Sequence, residues 1–301
     1  MTGLEPTTAT TRCAPMSLVR EDQRHGTAAP VSRWLLIEHP GPWGRDALSS
    51  ARLEPGVATE VVDRCRAAGV RPMLIRRPGR LLATDTRRWA YVDSRLGQEG
   101  SWWGDYGSDR QLVDIPLDGS AGQRSSSPAY LVCTHARHDA CCAIRGRPVA
   151  ATLAALRPEL TWECSHTGGD RFAANVVVLP HGLYYGTVTP ARVPDLLTAH
   201  EGGFVVPDLL RGRSALSAAV QAAQHVARAA VDDLRLAALP PTDVQRIDAD
   251  TWRIGFDHQP GVTVTIVRRL SDLLPRLTCS AVGLQRIMTF DVIDVHLAEF
   301  S

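Results

Sequence analysis

The stretch Tyr130-Leu-Val-Cys133-Thr-His-Ala-Arg-His-Asp-Ala-Cys141-Cys142-Ala-Ile-Arg-Gly146 decides the fold. Its apolar start is typical of a buried strand that ends at Cys133, and a helical segment follows from about Cys141 to Leu156. The polar residues between them form a loop. A strand, a loop and a helix in this order predict the beginning of an α/β unit, with the loop at the carboxyl end of the strand.

The residues after this helix extend the unit. Leu160–Cys164 is predicted as the next strand, and Asn175–Leu179 as a further one. The turn Pro180-His-Gly182 and the run Leu183–Val188 are typical of a β-hairpin, and Val193–His200 predicts a closing helix. The resulting order, β-α-β, β-β, α, is that of a thioredoxin-like domain.

A second strand–loop–helix pattern begins further upstream, at Trp34. Trp34–Glu38 predicts a strand, an apolar stripe from Val57 to Ala68 predicts a helix, and Pro72–Arg76 and Arg88–Val92 predict two further strands. This order predicts a smaller α/β unit that is related to the thioredoxin-like domain.

The composition argues against two classes of function. The 301 residues, of which 44% are hydrophobic and 22% charged, are typical of a globular protein. All 33 basic residues are Arg, and they are scattered among 32 acidic residues, so nucleic-acid binding is not expected. No apolar run approaches the roughly 18–20 residues of a spanning helix, and residues 1–15 lack the apolar region of a signal peptide. We expect a cytoplasmic protein with no membrane partner.

The seven cysteines need an explanation, because disulfides are rare in a reducing compartment. Three are isolated in the sequence; Cys13 lies in a polar tail, and Cys65 and Cys279 are interpreted as small buried apolar residues. The other four lie close together: Cys133, Cys141, Cys142 and Cys164. This clustering is the first indication of function.

A second segment, Trp162-Glu-Cys164-Ser-His166-Thr-Gly-Gly-Asp170, also brings thiol and imidazole groups to the carboxyl end of a strand. Metal ions and iron–sulfur clusters need soft, deprotonated ligands that converge from separate loops. Cys164 and His166 are expected to point to one side, because strand side chains repeat with a period of two. The two glycines would let the backbone pass close to a bulky inorganic group.

These segments resemble the sucrase/ferredoxin-like family, and within it the thioredoxin-like [2Fe–2S] ferredoxins. Those ferredoxins have one Cys at the end of the first strand and a second at the start of the helix, often followed by Ala-x-Arg-Gly; Cys133 and Cys142 match these positions. Their second pair is Cys-x3-Cys before an apolar strand and a Pro-x-Gly turn, and His166 and Asp170 match that frame. Fungal members of the sucrase/ferredoxin-like family have His-x3-His in the frame of this second pair. The resemblance is densest over residues 128–200 and weaker over 30–120.

The departure from the pattern is Asp170, because a carboxylate is a poorer partner for iron–sulfur clusters than a thiolate. We therefore predict Cys133, Cys142, Cys164 and His166 as the ligands, with Asp170 as the alternative fourth ligand. Cys141 is an alternative to Cys142, but only Cys142 keeps the match to Ala-x-Arg-Gly.

Together, the residue patterns and the resemblance predict an α/β protein with four regions: a disordered tail (1–29), a smaller α/β unit (30–122), a thioredoxin-like [2Fe–2S] ferredoxin domain (123–205) and an α+β C-terminal region (206–301). It implies a one-electron carrier that serves a partner reductase or oxidase. The sequence has no dinucleotide-binding G-x-G-x-x-G motif, so the electrons are expected to come from a redox partner protein.

Three other functions are open to a chain with this pattern. A zinc site of Cys and His ligands and a non-redox interaction module on the same scaffold both fit the residues. Thiol–disulfide exchange is disfavoured, because the chain has no Cys-x-x-Cys motif. Sucrose hydrolysis would need paired carboxylates at a sugar pocket, and no segment indicates them.

Overall fold

The computed structural model describes residues 12–79 and 86–298 and begins with helix α1 (Cys13–Val19). Disorder was expected for residues 1–29, but the described part of that tail is ordered, and Cys13, Ala14 and Ser17 are buried. Residues 1–11 lie outside the described residues. The difference arises because α1 packs against the short 3-10 helix Asp170–Phe172, a tertiary contact that local composition does not reveal.

The described residues of the first half form five strands and two helices. In chain order they are β1 (Arg33–Glu38), α2 (Val57–Ala67), β2 (Arg71–Arg76), β3 (Arg87–Asp93), β4 (Gly100–Tyr106), α3 (Gln111–Asp114) and β5 (Gln123–Ser125). β1 pairs in parallel with β2 and antiparallel with β3, so α2 makes the crossover that a parallel pair requires. The strands and the helix predicted from Trp34 onward are present.

The second half repeats this arrangement. It contains β6 (Ala129–Cys133), α4 (Ala140–Leu156), β7 (Thr161–Cys164), β8 (Val176–Leu179), β9 (Leu183–Tyr185), α5 (Val193–Glu201) and β10 (Leu210–Arg213). β6 pairs in parallel with β7 and antiparallel with β8, and β8 pairs antiparallel with β9. The order β7-β6-β8-β9 is the thioredoxin-like arrangement that the sequence predicts.

The two halves form one sheet of ten strands with the order β10-β9-β8-β6-β7-β2-β1-β3-β4-β5. From the middle of the sheet outward, the first half has the order β2-β1-β3-β4-β5 and the second half has the equivalent order β7-β6-β8-β9-β10. The halves meet where β2 and β7 pair antiparallel, with Ile75 opposite Cys164 and Arg76 opposite Glu163. An ion pair between Arg76 and Glu163, with 2.7 Å between the guanidinium nitrogen and the carboxylate oxygen, stabilises this junction.

One hydrophobic core crosses the junction. Trp34, Met73 and Ile75 of the first half pack in the same buried cluster as Cys133 and Trp162 of the second half. Because the halves share buried apolar surface, they stabilise each other. The boundaries predicted between residues 122 and 123 and between 205 and 206 stay predictions.

The remaining residues form helix α6 (Ala218–Val231) and a separate sheet with the order β11-β12-β13-β16. Its strands are β11 (Pro241–Arg246), β12 (Thr251–Phe256), β13 (Val262–Leu270) and β16 (Met288–Leu297), and a two-stranded ribbon joins β14 (Leu274–Pro275) to β15 (Leu284–Gln285). Among the described residues, no helix combines the length and apolarity needed to cross a bilayer.

Candidate metal centre

Cys133 and Cys142 approach each other because helix α4 packs very closely on the end of strand β6. Gly146 makes this possible: a Cβ atom at this position would collide with the carbonyl oxygen of Cys133. Cys142 lies one helical turn before Gly146, and its thiol interacts with the thiol of Cys133. Both cysteines are fully buried. The Ala-x-Arg-Gly motif after Cys142 therefore has a packing role in forming the site.

The loop between β7 and β8 brings His166 and Asp170 to the same place, and a buried arginine holds it there. Arg211 of β10 donates hydrogen bonds of 2.8 Å to the carbonyl oxygen of Gly168 and to Oδ1 of Asn175. Asn175 in turn donates to the carbonyl oxygen of Gly169 at 3.0 Å. The loop is thus fixed from within the protein.

The structure gives a different reason for Gly169 from the one that the sequence suggested. We expected the two glycines to make room for an inorganic group. A Cβ atom at Gly169 would instead overlap the guanidinium of Arg211, and the residue has a φ of 76°. Gly169 is therefore required by the buried arginine.

Four side chains form a closed set of contacts at this point. Asp170 Oδ1 lies 3.2 Å from Cys142 Sγ and 3.0 Å from His166 Nδ1. Cys133 interacts with both Cys142 and His166. Asp170 is 4% exposed as a residue, whereas the side chain of His166 is 26% exposed. The set is therefore buried on its cysteine side and reaches the surface at its histidine.

The ionisation of these groups is strongly perturbed. A hydrogen bond with Cys142 holds the pKa of Cys133 well below its usual range, against the effect of complete burial. Burial lowers the pKa of His166, but the neighbouring Asp170 and Cys133 outweigh it and raise the pKa to about 9. Burial opposes ionisation of Asp170, yet the adjacent His166 keeps the pKa of this carboxyl low. Perturbed pKa values on several neighbouring groups are typical of a functional site.

Two further histidines, His135 and His138, support the site. His135 is buried; its Nε2 lies 2.6 Å from the carbonyl oxygen of Gly44, and its Nδ1 accepts a hydrogen bond from the backbone N–H of His166 at 3.3 Å. The ring of His138 stacks on His166 with 3.6 Å between centroids, and its Nε2 lies 3.7 Å from Asp170 Oδ2. Their proximity to Cys133 in sequence was the available signal.

Cys164 lies beside the site within the sheet. It is directly opposite Cys133 in the parallel pair and opposite Ile75 across the junction, and burial raises its pKa well above the usual value. In the described part of the chain, Asp170 and not Cys164 is the side chain that contacts both Cys142 and His166.

The other cysteines lie apart from this set. Cys141 is adjacent to Cys142 in sequence, but its sulfur contacts Cys279 at 3.5 Å. Cys279 is half-buried, packs against a small apolar cluster and also contacts Cys13. Cys65 lies in the apolar core of the first half, and burial raises its pKa to about 11.

Comparison with solved structures finds two crystal structures of cysteine-to-serine variants of the thioredoxin-like [2Fe-2S] ferredoxin from Aquifex aeolicus. Each is 24% identical and covers 28% of this chain and 97% of the ferredoxin, with TM-scores of 0.25 and 0.24. No curated protein matches the sequence. The profile of the sucrase/ferredoxin-like family matches residues 24–212, which include both halves of the ten-stranded sheet. Because this match spans more than half of the chain, the protein belongs to the sucrase/ferredoxin-like family.

Proposed function

We propose that the protein is a one-electron carrier that holds a [2Fe–2S] cluster at Cys133, Cys142, His166 and Asp170. The closed set of contacts among these four side chains carries the proposal. It coincides with the four positions at which the family resemblance puts cluster ligands, although the residues come from three separate segments. Cys164, which the sequence favoured as the fourth ligand, is the rival for the place of Asp170.

The residues present fit such a cluster. Two buried thiols supply soft ligands, and the imidazole of His166, whose Nδ1 lies 3.0 Å from Asp170 Oδ1, supplies a ring nitrogen. His166 must lose a proton to bind iron, because only neutral imidazole is a ligand. Asp170 is the hardest of the four donors and would be the weakest ligand to iron. When bound, the cluster supplies one-electron oxidation and reduction.

The protein residues determine how the electron enters and what accompanies it. The side chains of His166 and His138 are 26% and 34% exposed, whereas Cys133 and Cys142 are inaccessible. The histidine side is therefore the face that a redox partner protein can approach. Replacing a thiolate by a neutral imidazole raises the reduction potential, as in Rieske centres. His166 can also release or take up a proton, which would couple proton transfer to electron transfer.

The buried carboxylate gives weight to a second candidate, a mononuclear zinc site. Zinc accepts carboxylate, imidazole and thiolate ligands together, whereas iron–sulfur clusters rarely use carboxylate. A zinc-bound chain would be a non-redox interaction protein on the same scaffold.

Anaerobic purification followed by iron, sulfide and zinc analysis tests the proposal. We expect two irons and two sulfides per chain, a brown colour and a paramagnetic signal after reduction. Cys142→Ser should abolish all three, and the adjacent Cys141→Ser should retain them. Zinc at this site with no labile sulfide would support the second candidate and contradict the first.

A further inference from the structure

A second group of metal-ligating side chains lies apart from the proposed cluster site. Its members are Cys13, Asp139, Cys141 and Cys279, and their sulfur and oxygen atoms all lie within 4.8 Å of one another. They come from the first residue of α1, the start of α4 and the loop between β14 and β15. The proposed electron-carrier function does not explain why three cysteines so distant in sequence lie together.

The distances between these atoms match the edges of a small tetrahedron. Cys279 Sγ lies 3.6 Å from Cys13 Sγ and 3.5 Å from Cys141 Sγ, and both carboxylate oxygens of Asp139 lie 3.6 Å from Cys13 Sγ. A tetrahedral zinc ion with Zn–S bonds of about 2.3 Å and a Zn–O bond of about 2.0 Å separates two sulfurs by about 3.8 Å, and a sulfur from an oxygen by about 3.5 Å. The observed spacing is close to both values.

The same distances disfavour disulfide pairing. A disulfide requires sulfur atoms about 2.05 Å apart, and three mutually adjacent thiols cannot all be paired by disulfides. The four ligand atoms lie within 4.8 Å of one another, which is close enough for them to bind one ion.

Asp139 is already oriented for this role. Its Oδ1 accepts a hydrogen bond from the backbone N–H of Cys141 at 2.8 Å, and its Oδ2 accepts one from the backbone N–H of Cys279 at 2.6 Å. The first of these bonds caps helix α4, and the second binds the C-terminal loop. Ligating carboxylates in metal sites are commonly held by such outer hydrogen bonds.

The surroundings of the group are also consistent with a closed site. Cys13, Asp139 and Cys141 are each at most 2% exposed, and only Cys279 is half-buried. Arg171, whose side chain is 15% exposed, lies close enough to interact electrostatically with Cys13 and would offset negative charge from the thiolates. Four protein ligands with no open position are typical of structural zinc.

We propose that Cys13, Asp139, Cys141 and Cys279 bind one structural Zn²⁺ ion. On binding, the three thiols release their protons, and each sulfur forms one bond to zinc. The ion fastens the N-terminal helix and the C-terminal loop to the start of α4.

Cys141 and Cys142 are adjacent in sequence but belong to different proposed sites, so replacing each one should have opposite effects on the zinc and iron contents. Zinc, iron and sulfide are measured in the purified full chain and in the variants Cys141→Ser, Cys142→Ser and Cys65→Ser. We expect one zinc per chain in the wild type; Cys141→Ser should lower it about tenfold or more and retain iron and sulfide. Cys142→Ser should do the reverse, and Cys65→Ser should change neither. Loss of iron from the wild type with zinc retained would contradict only the electron-carrier proposal.

A second measurement covers the possibility that Cys141→Ser fails to fold. Co²⁺ is added to the metal-free full chain and to Cys279→Ser, whose residue lies in a half-buried loop, and thiolate-to-cobalt absorption is recorded. We expect one tetrahedral Co²⁺ with three thiolates in the wild type, and about one third less charge-transfer absorption with weaker binding in Cys279→Ser. Equal titrations for the two proteins would overturn the proposal. A disulfide between Cys279 and Cys13 or Cys141, found by mass spectrometry without reduction of the native protein, would also overturn it.

Discussion

The two halves of the ten-stranded sheet share one strand order and differ in chemistry. In the first half, β1 ends at Glu38, which lies opposite Ile75 of β2. In the second half, the corresponding strand β6 ends at Cys133, opposite Cys164 of β7. The scaffold is the same, but soft ligands occur at the strand ends of only the second half. The strand order therefore positions the loops, and the residues in those loops determine what can be bound.

The loops that follow these strand ends reinforce the contrast. After β1 the chain buries Trp43, whose ring packs under the guanidinium of Arg76 at 4.2 Å. After β6 the loop contains His135 and His138 and leads to Cys142. The loop after β1 thus buries an aromatic ring, whereas the loop after β6 supplies two imidazoles and leads to a thiol. It also contributes to the site indirectly, because the carbonyl of Gly44 lies 2.6 Å from Nε2 of His135.

The largest expected effect is the loss of the cluster when a strand-end cysteine is replaced. Cys133→Ser should remove iron and sulfide completely, because a neutral hydroxyl is a poor ligand for iron. The control is Cys65→Ser in the first half, which places a hydroxyl in an apolar core and should cost about 1–3 kcal/mol of stability without loss of iron. Iron content and urea denaturation measure both. A full cluster in Cys133→Ser would remove the chemical distinction between the halves.

The next effect concerns the fourth ligand. Asp170→Ala should abolish or grossly change the paramagnetic signal and the reduction potential, because Asp170 contacts both Cys142 and His166. Cys164→Ser should leave both nearly unchanged and lower stability by about 1–3 kcal/mol, since it buries a hydroxyl within the sheet. Electron paramagnetic resonance and redox titration distinguish the two. The opposite result would restore Cys164 as the ligand.

A smaller effect is expected from the arginines on the two outer strands. Arg211→Met should destabilise the protein by about 3 kcal/mol, because the carbonyl of Gly168 and the amide oxygen of Asn175 lose a charged donor. Arg124 of β5 is exposed, and Arg124→Met should change stability by about 0.5 kcal/mol or less. Denaturation midpoints of the two variants test this difference. Equal values would mean that the loop is not held by Arg211.

The smallest effect is a difference in histidine titration in the metal-free chain. His166 should titrate at a pKa of about 9, and His39 of the first half should titrate below 6.5, because burial lowers its pKa. The stabilisation from protonated His166 is present below pH 6.5 and is lost as the pH rises through about 9. Burial of neutral His39 instead costs stability as the pH falls below 6.5. Nuclear magnetic resonance of the imidazole protons measures both pKa values, and similar values would contradict the prediction.

Much of the fold was predictable because its elements have strong local patterns. The strand that ends at Cys133 is an apolar run, and α4 and α5 are bounded by loop residues. The elements that the sequence analysis missed have weak patterns. β4 and β5 contain glycine, serine and charged residues, and β10 is Leu-Arg-Gly-Arg with both arginines buried. Such strands form because neighbouring strands complete their hydrogen bonds, which local periodicity does not record.

The sequence by itself determined which residue types are available for chemistry and approximately where the strand ends place Cys133, Cys142 and His166. Only the tertiary structure decided which other side chains lie next to these residues. It brought Asp170 into contact with Cys142, placed Cys164 within the sheet and joined Cys13 and Cys279 to Cys141. The physical reason is that a strand or helix follows from neighbouring residues, whereas contacts between distant side chains depend on how closely helices, loops and buried arginines pack.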